Sequence, residues 1–348
     1  MSIDEVARRR AFEPTTDPVE LARSHQALKQ ISDGDPDGDL FRAITGPRTC
    51  AAELRGPAGA GKSSCIMRVL SHVAGLTGLR YELLLLRAAD DGTILESPAA
   101  FAAYLIDVIR SQGFRFAAPV QEELSRVGAA ETVVTDPVRT GTRSVEGHAK
   151  VVSGRYERAL QDAFEQRSYG RNAAQSRQEL EGVLAIIRDH GVRPMIVVDD
   201  TDKFAEPASV GVDTQAVDGL FDNGVRTLSD LGVDFVVAVH PRFEGVGGYD
   251  AAAAKFLTTR LEIPWLLPER APIAAILDRH LKAHGIDASI EGLVTATALA
   301  ALWGIYSVNR NVRDTLNVAH RAAANASERR SAVLDEEDVG AARRPLTA

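Results

Sequence analysis

The chain has 348 residues, 45% hydrophobic and 25% charged, enough apolar content to bury a large core as one large domain with a smaller companion. Its net charge of −8 excludes a general electrostatic affinity for nucleic acid, so any DNA contact requires a local basic surface. The two cysteines, Cys50 and Cys65, fit reduced core residues of a cytoplasmic protein better than a disulfide; no signal pattern opens the chain, and the longest near-apolar run, Leu293 to Val308, is too short to span a bilayer.

Residues 1–48 are polar and interrupted by Pro14, Pro18 and Pro36, with helical periodicity over Val19–Ile31, and read as a lead-in. A strand is expected at Cys50–Arg55, although Glu53 departs from the continuous apolar run of a central parallel strand. The next residues, Gly56-Pro57-Ala58-Gly59-Ala60-Gly61-Lys62-Ser63, satisfy G-x-x-x-x-G-K-[ST] at every fixed position. Three glycines let successive N–H groups surround a phosphate, and the helix opening near Lys62 adds the positive end of its dipole. Lys62 is placed to reach the β- and γ-phosphates and Ser63 to offer its hydroxyl to Mg²⁺; Ser64 completes the cofactor-binding stretch. A Gly/Ala-rich loop that merely ends a strand is the plain alternative, disfavoured by the match at all four fixed positions of the eight-residue pattern.

Farther on, Cys65–Ala74 and Phe101–Ile109 read as helices and Tyr81–Arg87 as a strand. The region 118–192 exceeds an ordinary connection and reads as an insertion. Within it, Gln121–Val127, Tyr156–Phe164 and Leu180–Ile187 are helical, and Thr132–Val152 is a candidate hairpin turning at Gly141. It either faces a partner or is a surface excursion. Met195-Ile196-Val197-Val198-Asp199-Asp200 then forms a buried strand that delivers two carboxylates to the crevice at the strand ends. Asp199 would hold Mg²⁺ and Asp200 would orient or deprotonate the attacking water; a helix N-cap is the simpler use of such a pair.

With Asp202 and Lys203 this segment becomes Asp-Asp-x-Asp-Lys, which resembles the additional-strand P-loop ATPases, in particular AAA+ and its STAND and KAP relatives. Many AAA+ members have Glu at the second acidic position, and Asp200 tilts the resemblance toward the STAND-like branch. The resemblance implies an α/β fold: a parallel sheet of order 5-1-4-3-2 sandwiched by helices, over about 49–266, followed by a small helical lid at 267–348. It implies a sensor-one role for His240, at the end of the strand Asp234–Val239, where a histidine also serves as a cap. Arg260 matches the family's arginine finger, between a helix at Ala251–Leu257 and a final strand at Leu261–Leu266; Arg242 and Arg226 are weaker candidates, and a surface arginine at a helix end is the alternative.

In the lid, helices are expected from Pro268 through Ala283, at Leu293–Ile305, after Val308-Asn309-Arg310-Asn311-Val312-Arg313-Asp314, and at Ala332–Ala341. Arg313 matches the sensor-two arginine, with Ser307 or Val308 where the family has Gly; simple capping by Asn309 is the other reading. The family's cofactors are ATP and Mg²⁺, with adenine contacts expected near Phe12–Pro14. Its members imply a homo-oligomer acting as a switch or motor on a separate effector protein, in a bacterial defence-type system. Two other classes stay open. One is a nucleotide-binding scaffold with little turnover, suggested by Asp200 and His240. The other is a DNA-transaction ATPase using Arg139, Arg143, Lys150, Arg155, Arg158, Arg167, Arg171 and Arg177. A small-molecule kinase would need an arginine-rich lid close to the core, which this sequence does not show.

Overall fold

The computed structural model describes residues 2–74, 76, 81–87, 92–112, 116–129, 173–205 and 211–343. Before the sheet come α1 (Ile3–Arg8), α2 (Pro18–Ser24), α3 (Leu28–Ile31) and α4 (Pro36–Thr45). Strand β1 (Ala51–Arg55) leads into α5 (Lys62–Ala74), and β2 (Tyr81–Arg87) is followed by α6 (Pro98–Ser111), α7 (Ala118–Ala129) and α8 (Ala173–Asp189). After β3 (Arg193–Asp199), α9 (Thr214–Gly219) passes through a π-helical stretch, Leu220–Val225, into α10 (Arg226–Asp230). Strand β4 (Asp234–Val239), α11 (Gly247–Lys255) and β5 (Thr259–Glu262) complete the sheet. Helices α12 (Pro272–Ala283), α13 (Ala296–Asn309), α14 (Val312–Glu328) and α15 (Glu336–Arg343) follow.

All strand pairs are parallel and the order is β2-β3-β4-β1-β5, which read from β5 is 5-1-4-3-2. Successive side chains of a strand face opposite sides, so each central strand feeds two cores. Ala52, Leu54, Met195, Val197, Val236 and Ala238 pack on the face shared with α5, the N-terminal helices and the lid. Ala51, Ile196, Val198, Phe235, Val237 and Val239 pack on the face of α6, α8, α9 and α11. This two-sided burial is why β4 is buried at all six positions. At the strand starts, the buried Asp234 carboxylate accepts the Cys50 N–H at 2.6 Å and the Arg193 guanidinium at 2.7 Å, fixing β1, β3 and β4 to one another.

Several boundaries differ from the sequence expectation. The helix expected over Val19–Ile31 is broken at His25–Ala27: the Asp17 carboxylate caps α2 with Pro18 in its first turn, and the chain is extended at His25 before α3 begins. Asp37 holds that restart by accepting the Leu28 N–H at 2.8 Å. Within the lead-in, Ile3, Val6, Phe12, Leu40 and Ile44 are wholly buried in the core that the lid shares. The last strand is Thr259–Glu262, four residues earlier at its end than Leu266, which instead bridges antiparallel to Ser32. The first lid helix opens at Pro272, because Pro268–Arg270 is a 3₁₀ turn and Ala271 takes a left-handed backbone at φ 45°. Of the insertion, α7 and α8 are described; the candidate hairpin Thr132–Val152 and helix Tyr156–Phe164 lie outside the described residues.

Glu53, the polar departure in β1, is 1% exposed and is compensated from the neighbouring elements. It accepts from Arg260 Nε of β5 at 2.7 Å and from the Tyr249 hydroxyl of α11 at 3.1 Å. The pair is asymmetric, because the Arg260 side chain is half exposed while Glu53 is not. Removing the arginine strands a buried carboxylate, whereas neutralising the acid leaves a cation that water can reach. Urea unfolding is expected to show a loss of about 2 kcal/mol or more for Arg260→Ala, against less than about 1 kcal/mol for Glu53→Gln. Equal losses would contradict this asymmetry.

Candidate nucleotide-binding site

The site lies where β1 and β3 end and α5 begins. The loop between β1 and α5 is held at its start by the Gly56 N–H on the Val239 carbonyl at 3.0 Å, and turns through left-handed glycines at Gly59 (φ 71°) and Gly61 (φ 103°). Gly59 is required for a second reason: a Cβ there would lie 2.0 Å from Asn311 Oδ1 of the lid. Asn311 caps α14, and the Arg313 N–H donates to the Gly59 carbonyl at 3.2 Å, so the lid rests directly on the loop.

Lys62 is 4% exposed, and its ammonium donates to the Gly56 carbonyl at 2.7 Å, the Pro57 carbonyl at 3.0 Å and both oxygens of Asp202 at 2.9 Å. Burial pulls its pKa down, and the Asp202 carboxylate works against that pull. Ser63 donates to Asp199 Oδ1 at 3.0 Å, joining the start of α5 to the end of β3. Burial raises the Asp199 carboxyl, while the Ser63 hydroxyl and the Asp200 N–H favour its charged form. A hydroxyl and a carboxylate facing each other form a hard-oxygen pair, which suits Mg²⁺. Asp200 has a left-handed backbone at φ 59°, the sharp turn by which β3 enters the 3₁₀ segment Thr201–Ala205, and the Thr201 hydroxyl ties that segment to the Ala238 carbonyl.

His240 follows β4 and accepts the Arg242 N–H on Nδ1 at 3.1 Å. Burial lowers its pKa below the ordinary imidazole value, so near neutral pH the ring is neutral with its hydrogen on Nε2. The charges of Asp202 and Lys62 both reach it. His240 and Lys62 thus converge with Ser63, Asp199, Asp202 and Arg313 on one region. Arg260 does not join them: it lies within β5 rather than after a helix, bound to Glu53 and Tyr249. Arg242 donates to the Ala205 carbonyl, and Arg226 pairs within its helix with Asp230. Of the basic set proposed for DNA, Arg177 is described and is paired with Glu181; the others lie outside the described residues.

Beside the loop opens a cleft with both polar and apolar lining, the mixed character of a small-molecule site. Gly59, Gly61, Lys62, Ser63, Ser64 and Arg313 line its polar end, and Leu21, Leu28, Ile31, Leu266, Ile276 and Leu316 its apolar end. Pro14 lines it as well, whereas Phe12 is buried in the core behind. Sequence reasoning missed His25 and Asp37, which sit under the loop; they belong to no motif, and their approach depends on the break between α2 and α3. It also missed that Asp202, noted only as part of a motif, would bind Lys62.

No protein-family model matches this chain, and no curated protein matches it. Among solved structures, it is similar to the ORC1 protein of Aeropyrum pernix in complex with DNA, at 17% identity and a TM-score of 0.49, covering 88% of this chain and 62% of that one. It is also similar to Cdc6p from Pyrobaculum aerophilum, at 15% identity and a TM-score of 0.48, covering 95% and 69%. A third is the Aeropyrum pernix ORC2 protein in ADPNP–ADP complexes, at 13% identity and a TM-score of 0.49, covering 88% and 64%. The chain therefore spans about three fifths of the length of the ORC1 protein. Among the described residues no helix is long and apolar enough to cross a membrane.

Asp202 and an incoming phosphate compete for the same ammonium. Asp202→Asn is therefore expected to tighten binding of pyrophosphate about ten-fold in a calorimetric titration, equivalent to about 1.4 kcal/mol. Weaker binding by the variant would mean that Asp202 serves the ligand and does not compete with it.

Proposed function

We propose that this chain is an ATP-hydrolysing enzyme of the AAA+ kind that uses ATP and Mg²⁺. One observation carries the reading: a buried P-loop lysine, the Ser63 hydroxyl and the strand-end carboxylate of Asp199 meet under a loop on which the lid backbone at Arg313 is seated. The chemistry supplied there by Mg²⁺, when bound, would be neutralisation of phosphate charge. Ser63 and Asp199 would hold that ion, directly or through water. The loop N–H groups and Lys62 would bind the phosphate oxygens, and the apolar end of the cleft would exclude water from the base.

Asp200 is assigned the water. It follows Asp199 at the end of β3, where its left-handed backbone turns the chain out of the strand. His240 would donate from Nε2 toward the terminal phosphate. Arg313, exposed on the first turn of α14, would join the ligand's phosphates to the lid and make lid position depend on nucleotide state. The finer reading is a STAND-like switch, assembling with copies of itself and acting on a separate protein. In such an assembly Arg260 could serve a neighbouring site only by leaving Glu53, so hydrolysis that needs this arginine would also need its pair to open.

Phosphate release from MgATP tests the reading. Asp200→Asn is expected to lower turnover at least 100-fold while holding ATP affinity within about three-fold, the range expected for loss of a general base. Lys62→Ala is expected to lose both. Turnover unchanged in Asp200→Asn would remove Asp200 from the chemistry, and unchanged turnover in Lys62→Ala would overturn the ATPase assignment.

A further inference from the structure

Three segments bring an imidazole, a carboxylate and a thiol together beneath the phosphate loop. His25 follows α2 in extended conformation, Asp37 lies in the first turn of α4, and Cys65 lies in α5. Each offers one ligand atom, and these atoms lie within 4.8 Å of one another. His25 Nε2 is 2.7 Å from Asp37 Oδ1, and the wholly buried Cys65 thiol is hydrogen-bonded to the same carboxylate. Among the described residues, no other three histidine, cysteine or acidic side chains meet in this way.

Two of these groups are oriented from behind, as metal ligands are. Ser64 Oγ donates to the Leu21 carbonyl at 3.3 Å, so it accepts from His25 Nδ1–H at 3.0 Å, and the ring presents Nε2 to Asp37. The Leu28 N–H donates to Asp37 Oδ2 at 2.8 Å and leaves Oδ1 to the cluster. Imidazole, thiolate and carboxylate are the ligand types that Zn²⁺ takes, whereas Mg²⁺ and Ca²⁺ take oxygen. Bond lengths of about 2.0 to 2.3 Å set tetrahedral ligand atoms about 3.3 to 3.6 Å apart, so the His25–Asp37 contact must open by roughly half an ångström. Charge also balances. At 2.7 Å one hydrogen must lie between Nε2 and Asp37 Oδ1, and the thiol carries a second. A divalent ion that replaces these two hydrogens leaves the net charge of the buried cluster unchanged. Burial and the Asp37 charge keep the thiol hydrogen on Cys65; a cation offsets that charge and deprotonates a coordinating thiol outright.

We propose that His25 Nε2, Asp37 Oδ1 and Cys65 Sγ form a three-ligand site for Zn²⁺, entered from the cleft that His25 lines, with water as the fourth ligand. Three bonds to the metal form, the two displaced hydrogens pass to solvent, and no electrons are transferred. The ion ties the end of α2 and the start of α4 to the helix that opens at the phosphate loop. The site stands apart from the nucleotide reading, because none of its ligands belongs to the set of Lys62, Ser63 and Asp199.

The test is titration of the full chain with Co²⁺ as the spectroscopic probe, followed by displacement with Zn²⁺. Excess Mg²⁺ is present throughout to fill hard-oxygen sites, since it binds thiolate poorly. The wild type is expected to take up one equivalent of Co²⁺ with a thiolate-to-cobalt charge-transfer band in the near ultraviolet. Zn²⁺ is expected to abolish that band and to raise the melting temperature. Cys65→Ser is expected to lose the band, while Cys50→Ser, which changes the only other cysteine, keeps it. Ser64→Ala keeps all three ligands and is expected to bind with the band intact but about 10- to 100-fold more weakly, the effect of losing an outer partner. His25→Gln is expected to weaken binding by at least about as much. A wild type without the band, a band that survives in Cys65→Ser, or equal affinity in His25→Gln overturns the proposal. The wild-type result decides it even where a variant fails to fold.

Discussion

An ammonium group that is 4% exposed must be surrounded by acceptors, and Lys62 organises the site by this demand. Its four contacts come from two parts of the fold: the carbonyls of Gly56 and Pro57 on the loop, and the carboxylate of Asp202 beyond β3. Satisfying them requires the ends of β1 and β3 to stand at a fixed spacing, which the intervening β4 sets by pairing with both. The Ser63–Asp199 hydrogen bond spans the same gap one residue farther along. The chemistry of the site is thus a property of the sheet order, since only strands on either side of β4 bring these residues together.

The same loop is the meeting point of the outer elements. The lid reaches it through Asn311 and Arg313 at Gly59, and the N-terminal segment reaches the following helix through His25 at Ser64. Those two elements also hold each other: the Leu267 N–H donates to the Ile31 carbonyl at 2.9 Å, and Arg270 Nη1 donates to the Lys29 carbonyl at 2.9 Å. A ligand in the cleft therefore touches three elements that already share a core, which gives it a route to shift their relative populations through differential contacts.

Much of this was legible in the sequence, for identifiable reasons. Within β4, Phe235–Val239 is a run of apolar residues because both faces are covered. The phosphate loop is legible because glycine is the residue that most readily takes the positive-φ backbone at Gly59 and Gly61. What escaped detection depends on contacts between distant residues. Glu53 looked misplaced in β1 because its partners, Tyr249 and Arg260, are about two hundred residues away. The break at His25 could not be read from helical periodicity, since Asp37 enforces it from the next helix. The end of the last strand was overextended because Ile263 and Leu266 are apolar for the sake of the lid core, not for a ladder.

The central claim is that one nucleotide bridges the loop, the lid and the N-terminal segment. Amide hydrogen exchange with and without MgATP tests it most directly, because it resolves the three elements separately. The account predicts slower exchange at Gly59–Cys65, at Val312–Leu316 and at His25–Leu28 over the same range of ATP concentration. Protection confined to the loop, or none in the lid and the N-terminal segment at saturating ATP, would contradict it.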